Sequence, residues 1–313
     1  MQSPVNRREF LARTALAAAA LGIARQAEPA GTGMFVSLNS SLIPAKIEWP
    51  DFARLAARVG YGGVDVSLDG VRRAGAADTR ELFADLKIKP GILGLPVRFA
   101  ADEAAFQEGL NHLGDAASLA ADIGCPRMQA VMPPASATPK AEFRKIIKDR
   151  VIAMSEVLQR SNLRLGLEFL GPLHFRTRQP YEFIWRMSEL LEFAKECGPN
   201  IGLVLDAWHW HHAGATAADI LSAGKSRIVT VHVSDAKAQP PEDVRDNQRL
   251  MPGEGVIDLV TFFRTLAKTG YSDAVSPEPI GRVPPTMTPE EGARLGFDTT
   301  VAVMKKAGVE IAD

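Results

Sequence analysis

The sequence predicts an α/β fold, and within that class a single (β/α)8 TIM barrel. Strand-like and helix-like segments alternate without a break from about residue 34 to residue 307. The strand-like segments are short and almost continuously apolar, so they are buried on both faces, which requires a parallel sheet covered by helices. No Gly-x-Gly-x-x-Gly follows the first strand and no Walker-type loop occurs, so an open doubly wound nucleotide-binding sheet has no support. The 313 residues suit one barrel of about 250 residues with extras.

Met34–Leu38 (MFVSL) reads as the first strand, and Trp49–Val59 as a helix opened by Pro50 and Asp51. Gly63–Leu68 is a second strand, followed by a helix over Thr79–Leu86. Ile92–Val97 is a third strand, and Glu103–Ile123 carries apolar residues at helical spacing. Arg127–Met132 is a fourth strand stopped by Pro133-Pro134, with a long amphipathic helix over Pro139–Gln159. Leu165–Leu170, Ile201–Asp206, Ile228–Ser234 and Asp273–Glu278 complete the strand set. Helices are expected at Tyr181–Cys197, Thr216–Ala223, Ile257–Thr269 and Pro289–Ala307.

Composition narrows the function. With 36 basic and 37 acidic side chains the net charge is -1, which leaves no basic excess for a phosphate backbone and argues against a nucleic-acid partner. Two cysteines make neither a disulfide framework nor a four-cysteine zinc site. No apolar run reaches the roughly 20 residues of a membrane span. Residues 1–30 read as an export leader ahead of a barrel over 31–313. Arg7-Arg8 precede Phe10-Leu11 and a short Ala/Leu stretch, with cleavage near Ala24 or Ala30. The paired arginines resemble the twin-arginine export signal, which implies the twin-arginine export machinery as a partner and a periplasmic or extracellular location.

The chemistry gathers where the last four strands end, which in such a barrel is the face that carries active sites. Strand five ends at Glu168 (LEFL), strand six at Asp206 (LVLDAWHWHH), strand seven holds His232 (TVHVSDA) and strand eight ends at Glu278 (VSPEP). A carboxylate in an apolar strand is costly unless a cation or partner compensates it. Adjacent strands are about 4.8 Å apart, so the four side chains can converge. Three carboxylates and an imidazole suit one hard divalent ion, Mn²⁺ first, with Mg²⁺, Co²⁺ or Zn²⁺ as alternatives.

Glu168, Asp206-x-x-His209, Val231-His232-Val233-Ser234-Asp235, Glu278, the Gly60–Asp65 segment and Pro252-Gly253-Glu254-Gly255 resemble the xylose-isomerase-like TIM barrels. That superfamily holds sugar isomerases and epimerases and inosose dehydratases. The resemblance implies Glu168, Asp206, His232 and Glu278 as metal ligands. It also implies Glu168 and Glu278 as the catalytic acid and base on opposite faces of a substrate carbon. His209 and Arg249 are implied as substrate-binding residues. Two departures stand out: Ala236–Asn247 looks inserted between His232 and Arg249, and His174 occupies the place of a second glutamate that epimerases of this group carry.

Trp208 is a candidate substrate wall, since aromatic faces suit the C–H surface of a sugar, and His174 a substrate-binding residue. Asp235 is expected to orient its loop, Asp65 to line the pocket or cap a loop, and His112 to be structural. The expected activity is isomerisation or epimerisation of an unphosphorylated ketose or keto-sugar through an enediolate. Elimination from a keto-sugar or keto-glycoside is the alternative. A several-zinc nuclease would need more than the six histidines present, and a silent sugar-binding barrel would leave four ligand-type residues idle. Self-association as a homo-oligomer is open.

Overall fold

A computed structural model describes residues 33–312; the leader expected over 1–30, with Arg7 and Arg8, lies outside the described residues. Eight parallel strands close into a barrel in the order β1-β8-β7-β6-β5-β4-β3-β2, as the alternation predicts. They are β1 Phe35–Leu38, β2 Gly63–Val66, β3 Lys89–Gly94, β4 Arg127–Val131, β5 Arg164–Glu168, β6 Ile201–Asp206, β7 Ile228–Val233 and β8 Ala274–Pro277. Closure is made by Phe35 and Val36 of β1 in register with Ala274 and Val275 of β8.

The helices outside are α1 Trp49–Val59, α2 Leu68–Ala74, α3 Ala76–Leu86, α4 Glu103–Asp122, α5 Lys140–Arg160, α6 Met187–Cys197, α7 Ala207–His212, α8 Ala217–Arg227, α9 Leu259–Lys268 and α10 Pro289–Lys306. The apolar face of α1 buries Phe52, Leu55, Ala56 and Val59. Gly60 ends that helix in the left-handed region at φ 107°, a conformation that costs any other residue a steric clash. Thr288 and Glu291 form a reciprocal capping box at the start of α10.

Three expectations shift. The third strand begins at Lys89, because Lys89 and Pro90 pair with Gly63 and Val64 of β2, a pairing that apolarity does not reveal. The helix expected from Tyr181 starts at Met187; Tyr181–Glu182 instead pair antiparallel with Ala135–Ser136. α2 was not anticipated: Ser67 caps it by accepting a hydrogen bond from Gly70 N.

At the N-terminal end of the barrel, Arg127 at the start of β4 reaches the Asp273 carboxylate beside β8 at 2.7 Å. The same guanidinium donates to Gly91 O at 2.6 Å. As β4 and β8 lie on opposite sides of the barrel, this bridge crosses its floor. Cys125 and Cys197 are buried and free. Among the described residues, no helix is long and apolar enough to cross a membrane.

Candidate functional site

At the C-terminal mouth, the strand ends bring Glu168, Asp206, His232 and Glu278 together. One ligand-type atom from each lies within 4.8 Å of the others. β6 and β7 hold Asp206 and His232 side by side in direct register, and β8 sets Ser276 beside His232, so Glu278 emerges just past the rim. His232 Nδ1 faces Glu168 Oε1 at 3.2 Å and Glu278 Oε2 at 3.4 Å. The donor chemistry, three carboxylates and one imidazole, fits a divalent cation.

Asp206 divides its two oxygens. Oδ1 accepts from Trp208 N at 2.6 Å and His209 N at 3.3 Å, capping α7. Oδ2 faces the cluster and accepts from Arg249 Nη1 at 2.8 Å. Arg249 Nη1 also reaches Glu278 Oε2 at 3.1 Å, while Nη2 lies 3.2 Å from His209 Nε2. Asp246, which sequence reasoning missed, accepts from Arg249 Nε and Nη2 at 2.9 and 2.7 Å. Arg249 is thus a buried cation ringed by three carboxylates.

Asp235 orients its loop, as expected from the sequence. Its Oδ1 accepts from Ala236 N and Ile257 N at 2.8 and 2.9 Å, and its Oδ2 from Gly253 N at 3.0 Å. A Cβ at Gly255 would run into Ala236 O and the Asp235 carboxylate, so glycine is what lets the Pro252–Gly255 turn close on that side chain.

The cluster's charges are unequal. Burial pushes the Glu168 carboxyl up to about 7, with His232 opposing the rise. Burial also works to raise Glu278, but His232 and Arg249 outweigh it and hold Glu278 below the usual carboxylate range. At Asp206 the same contest against burial is won by Arg249, His209 and His232, and its pKa falls. Burial drives His209 down to about 3, so its imidazole is neutral. His232 stands well above the ordinary histidine value: burial opposes its charge, and Glu278 and Glu168 prevail.

Two candidate substrate residues, Trp208 and His174, pack against aromatic neighbours. Trp208 is 2% exposed and lies beneath Arg249, whose guanidinium is 4.6 Å from its ring centroid, with His212 at 4.5 Å on another side. It is a platform for the arginine, the packing role that stands beside a substrate wall as the other reading of this aromatic. His174 sits in a single helical turn, Leu173–Arg176, half-buried against Phe175 with ring centroids 4.1 Å apart. Phe175 separates it from His209, the two rings being 6.1 Å apart. The nearby basic loop is occupied locally: Arg176 stacks on Trp185 and Arg178 on Phe175.

A cavity of about 770 Å³ opens beside the cluster. Glu278 and Ile280 are on its wall, and the remainder comes from the β1–β4 side, including Asn39, Asp65, Gln129, Ile47 and Trp49. Of these, sequence reasoning singled out only Asp65, from a carboxylate set inside the apolar run Gly63–Val66.

Fold and site together define a parallel-barrel protein with a cation-type donor cluster at the mouth. The xylose isomerase-like TIM barrel model matches residues 53–303, and the chain belongs to that family. It is similar to an inosose isomerase from Halalkalibacterium halodurans, 28% identical over 232 residues that cover 73% of this chain and 80% of that one. A xylose isomerase domain protein from Alicyclobacillus acidocaldarius superposes with a TM-score of 0.80 at 29% identity, over 88% of this chain and 99% of that one. The IOLI protein, solved with a zinc atom, shares the fold at a TM-score of 0.76 and 24% identity, over 88% of this chain and 99% of that one.

Proposed function

We propose that the protein is a divalent-metal-dependent isomerase or epimerase of an unphosphorylated keto-sugar. The observation that carries the reading is the convergence of Glu168, Asp206, His232 and Glu278 within 4.8 Å. The similarity to an inosose isomerase supports an isomerase on a cyclic or open polyhydroxy ketone.

Glu168, Asp206, His232 and Glu278 would hold the ion. When bound, it would polarise the substrate carbonyl and stabilise the negative charge of an enediolate. The remaining work falls to the side chains. Glu278, with the Arg249 guanidinium 3.1 Å from its Oε2, takes the proton from the carbon next to the carbonyl. Glu168, from β5 on the other side of His232, is the carboxyl that returns a proton. Proton return to the neighbouring carbon gives isomerisation, and return to the opposite face gives epimerisation. Arg249 holds Asp206 and Glu278 in place, and His209 Nε2 lies against it.

His174, standing where epimerases of this group carry a glutamate, supports a second reading: the same enediolate expels a β-leaving group from a keto-sugar or keto-glycoside. Incubation of metal-loaded protein with ketoses and keto-glycosides in D₂O separates the two. Deuterium at a retained carbon marks proton transfer, and release of water or an alcohol marks elimination. Metal analysis should find one ion per chain, Mn²⁺ by preference, and Glu278→Ala should lose both ion and activity. Retention of full activity after exhaustive chelation would refute metal dependence. Export is part of the proposal, supported by Arg7-Arg8; the Arg7→Lys/Arg8→Lys double variant should accumulate in the cytoplasm on fractionation.

A further inference from the structure

Asp65 lies on β2, is not one of the four clustered donors, and the chemistry above does not use it. Its carboxylate is held by three donors. Ser37 Oγ and Ser276 Oγ donate to Oδ1 at 2.7 and 2.9 Å, and Asn39 Nδ2 donates to Oδ2 at 3.0 Å. Asn39 is fixed in turn, its Oδ1 accepting from Ser41 N at 2.8 Å. Gly91 of β3 makes room for the arrangement: a Cβ there would run into Ser37 Oγ and Asp65 Oδ1. Three strands and a loop therefore supply a socket for one carboxylate.

A carboxylate offers about four acceptor positions. Both positions on Oδ1 are taken and one on Oδ2 is taken, which leaves one on Oδ2. Asp65 is partly exposed, and the space it borders is the cavity of about 770 Å³ that also borders Glu278. A second acceptor lies on the same wall: Gln129 Oε1, from β4, is buried without a hydrogen-bond partner. Two acceptors, one of them anionic, call for a donor-rich ligand and repel a phosphate or carboxylate. The two cationic residues of the cavity, Lys46 and Arg73, are exposed at its rim, and Arg73 is 3.9 Å from Glu48.

We propose that Asp65, seated by Ser37, Asn39 and Ser276, accepts a hydrogen bond from a hydroxyl of the substrate, with Gln129 beside it, so that the β1–β4 wall selects an uncharged polyol end. This rests on the proposed isomerase reading, and extends it by assigning the substrate a hydroxyl-bearing end lying away from the carbonyl. The cavity size is within the roughly 300–1,000 Å³ usual for a small-molecule pocket.

The test is titration calorimetry of metal-loaded protein with inosose, D-fructose and D-tagatose, followed by steady-state kinetics on the best binder. Asp65→Asn is tolerable because both serine hydroxyls can rotate from donating to accepting. It should weaken binding and raise KM about 10-fold, the loss expected when a charged acceptor becomes neutral. The kcat, the metal affinity and the Tm should stay near wild type. The Asp65→Ala variant, which removes the acceptor, should lose more, and a substrate analogue lacking the recognised hydroxyl should bind wild type and Asp65→Ala alike. Turnover by wild type with equal KM in both variants overturns the inference alone. A fall in metal affinity matching the fall in binding also overturns it, since Asp65 would then act through the cluster. Failure of every sugar to bind wild type overturns both the inference and the reading beneath it.

Discussion

Arg249 touches the two oxygens that would also face a bound cation, Asp206 Oδ2 and Glu278 Oε2. A bound metal would therefore share ligands with the guanidinium. Replacing Arg249 by Met leaves buried carboxylates without a counter-charge, a loss that typically costs about 3–5 kcal/mol. The Arg249→Met protein should melt well below wild type without metal, and the metal-induced rise in Tm should be larger than in wild type; an equal rise would show that the arginine and the ion do not compete. The pH dependence has a definite sign. Glu168 at about 7 and His232, held well above its ordinary value, both carry protons at low pH. An ion must displace those protons, so metal affinity should climb as pH rises through 6 to 8, as measured by calorimetry in two buffers of different ionisation heat. The four cluster residues were legible because each is a costly polar group at an apolar strand end. The partners of Arg249 were not: Asp206, Asp246 and Glu278 lie 43, 3 and 29 positions away, and only the folded chain sets all three around one guanidinium. The role of Trp208 was open in the sequence, because an aromatic beside a site residue has the same signature whether it faces the cavity or supports its neighbour.

Among the elements, the passage from β6 into α7 is the most economical, since Asp206 ends the strand, caps the helix and faces the cluster. The run Trp208–His212 shows no helical periodicity of its own, which is why α7 was missed; the cap, not the pattern, forms it. α2 was missed for a related reason: Gly70 stands within it, and there the absence of a side chain lets Trp49 pack closely. The loop after β7 carries a prediction at this scale. Gly255→Ala would press a methyl group into Asp235 and Ala236 O, and the loop bearing Arg249 would shift. Activity should fall by about 10- to 100-fold, as small misplacements of positioning groups do, while circular dichroism stays unchanged. Thr288→Ala, outside the donor cluster, removes one side of a capping box at the start of α10 and should cost about 1 kcal/mol of stability, with the fold unchanged by circular dichroism.

For the whole molecule, the order of strands and helices was legible in almost every unit, because burial on both faces leaves a plain apolar signature. What closes the barrel was not. Arg127 reads as an ordinary start to a strand, yet it crosses the floor to Asp273 and is 6% exposed. Arg127→Ala removes the pair with the partly exposed Asp273 and the donor to the Gly91 carbonyl, and should cost about 1–3 kcal/mol. Denaturant unfolding should register that change, and metal affinity at the other end should not.

That bridge across the floor gives the barrel a dead end. With the base packed, traffic to the donor cluster would run through the mouth alone, and a released molecule would depart by the door its successor enters. In a reversible isomerisation both partners are similar in size and occupy one cul-de-sac, so accumulated product should compete directly with fresh substrate. Net flux would then depend on how quickly the exterior carries product away.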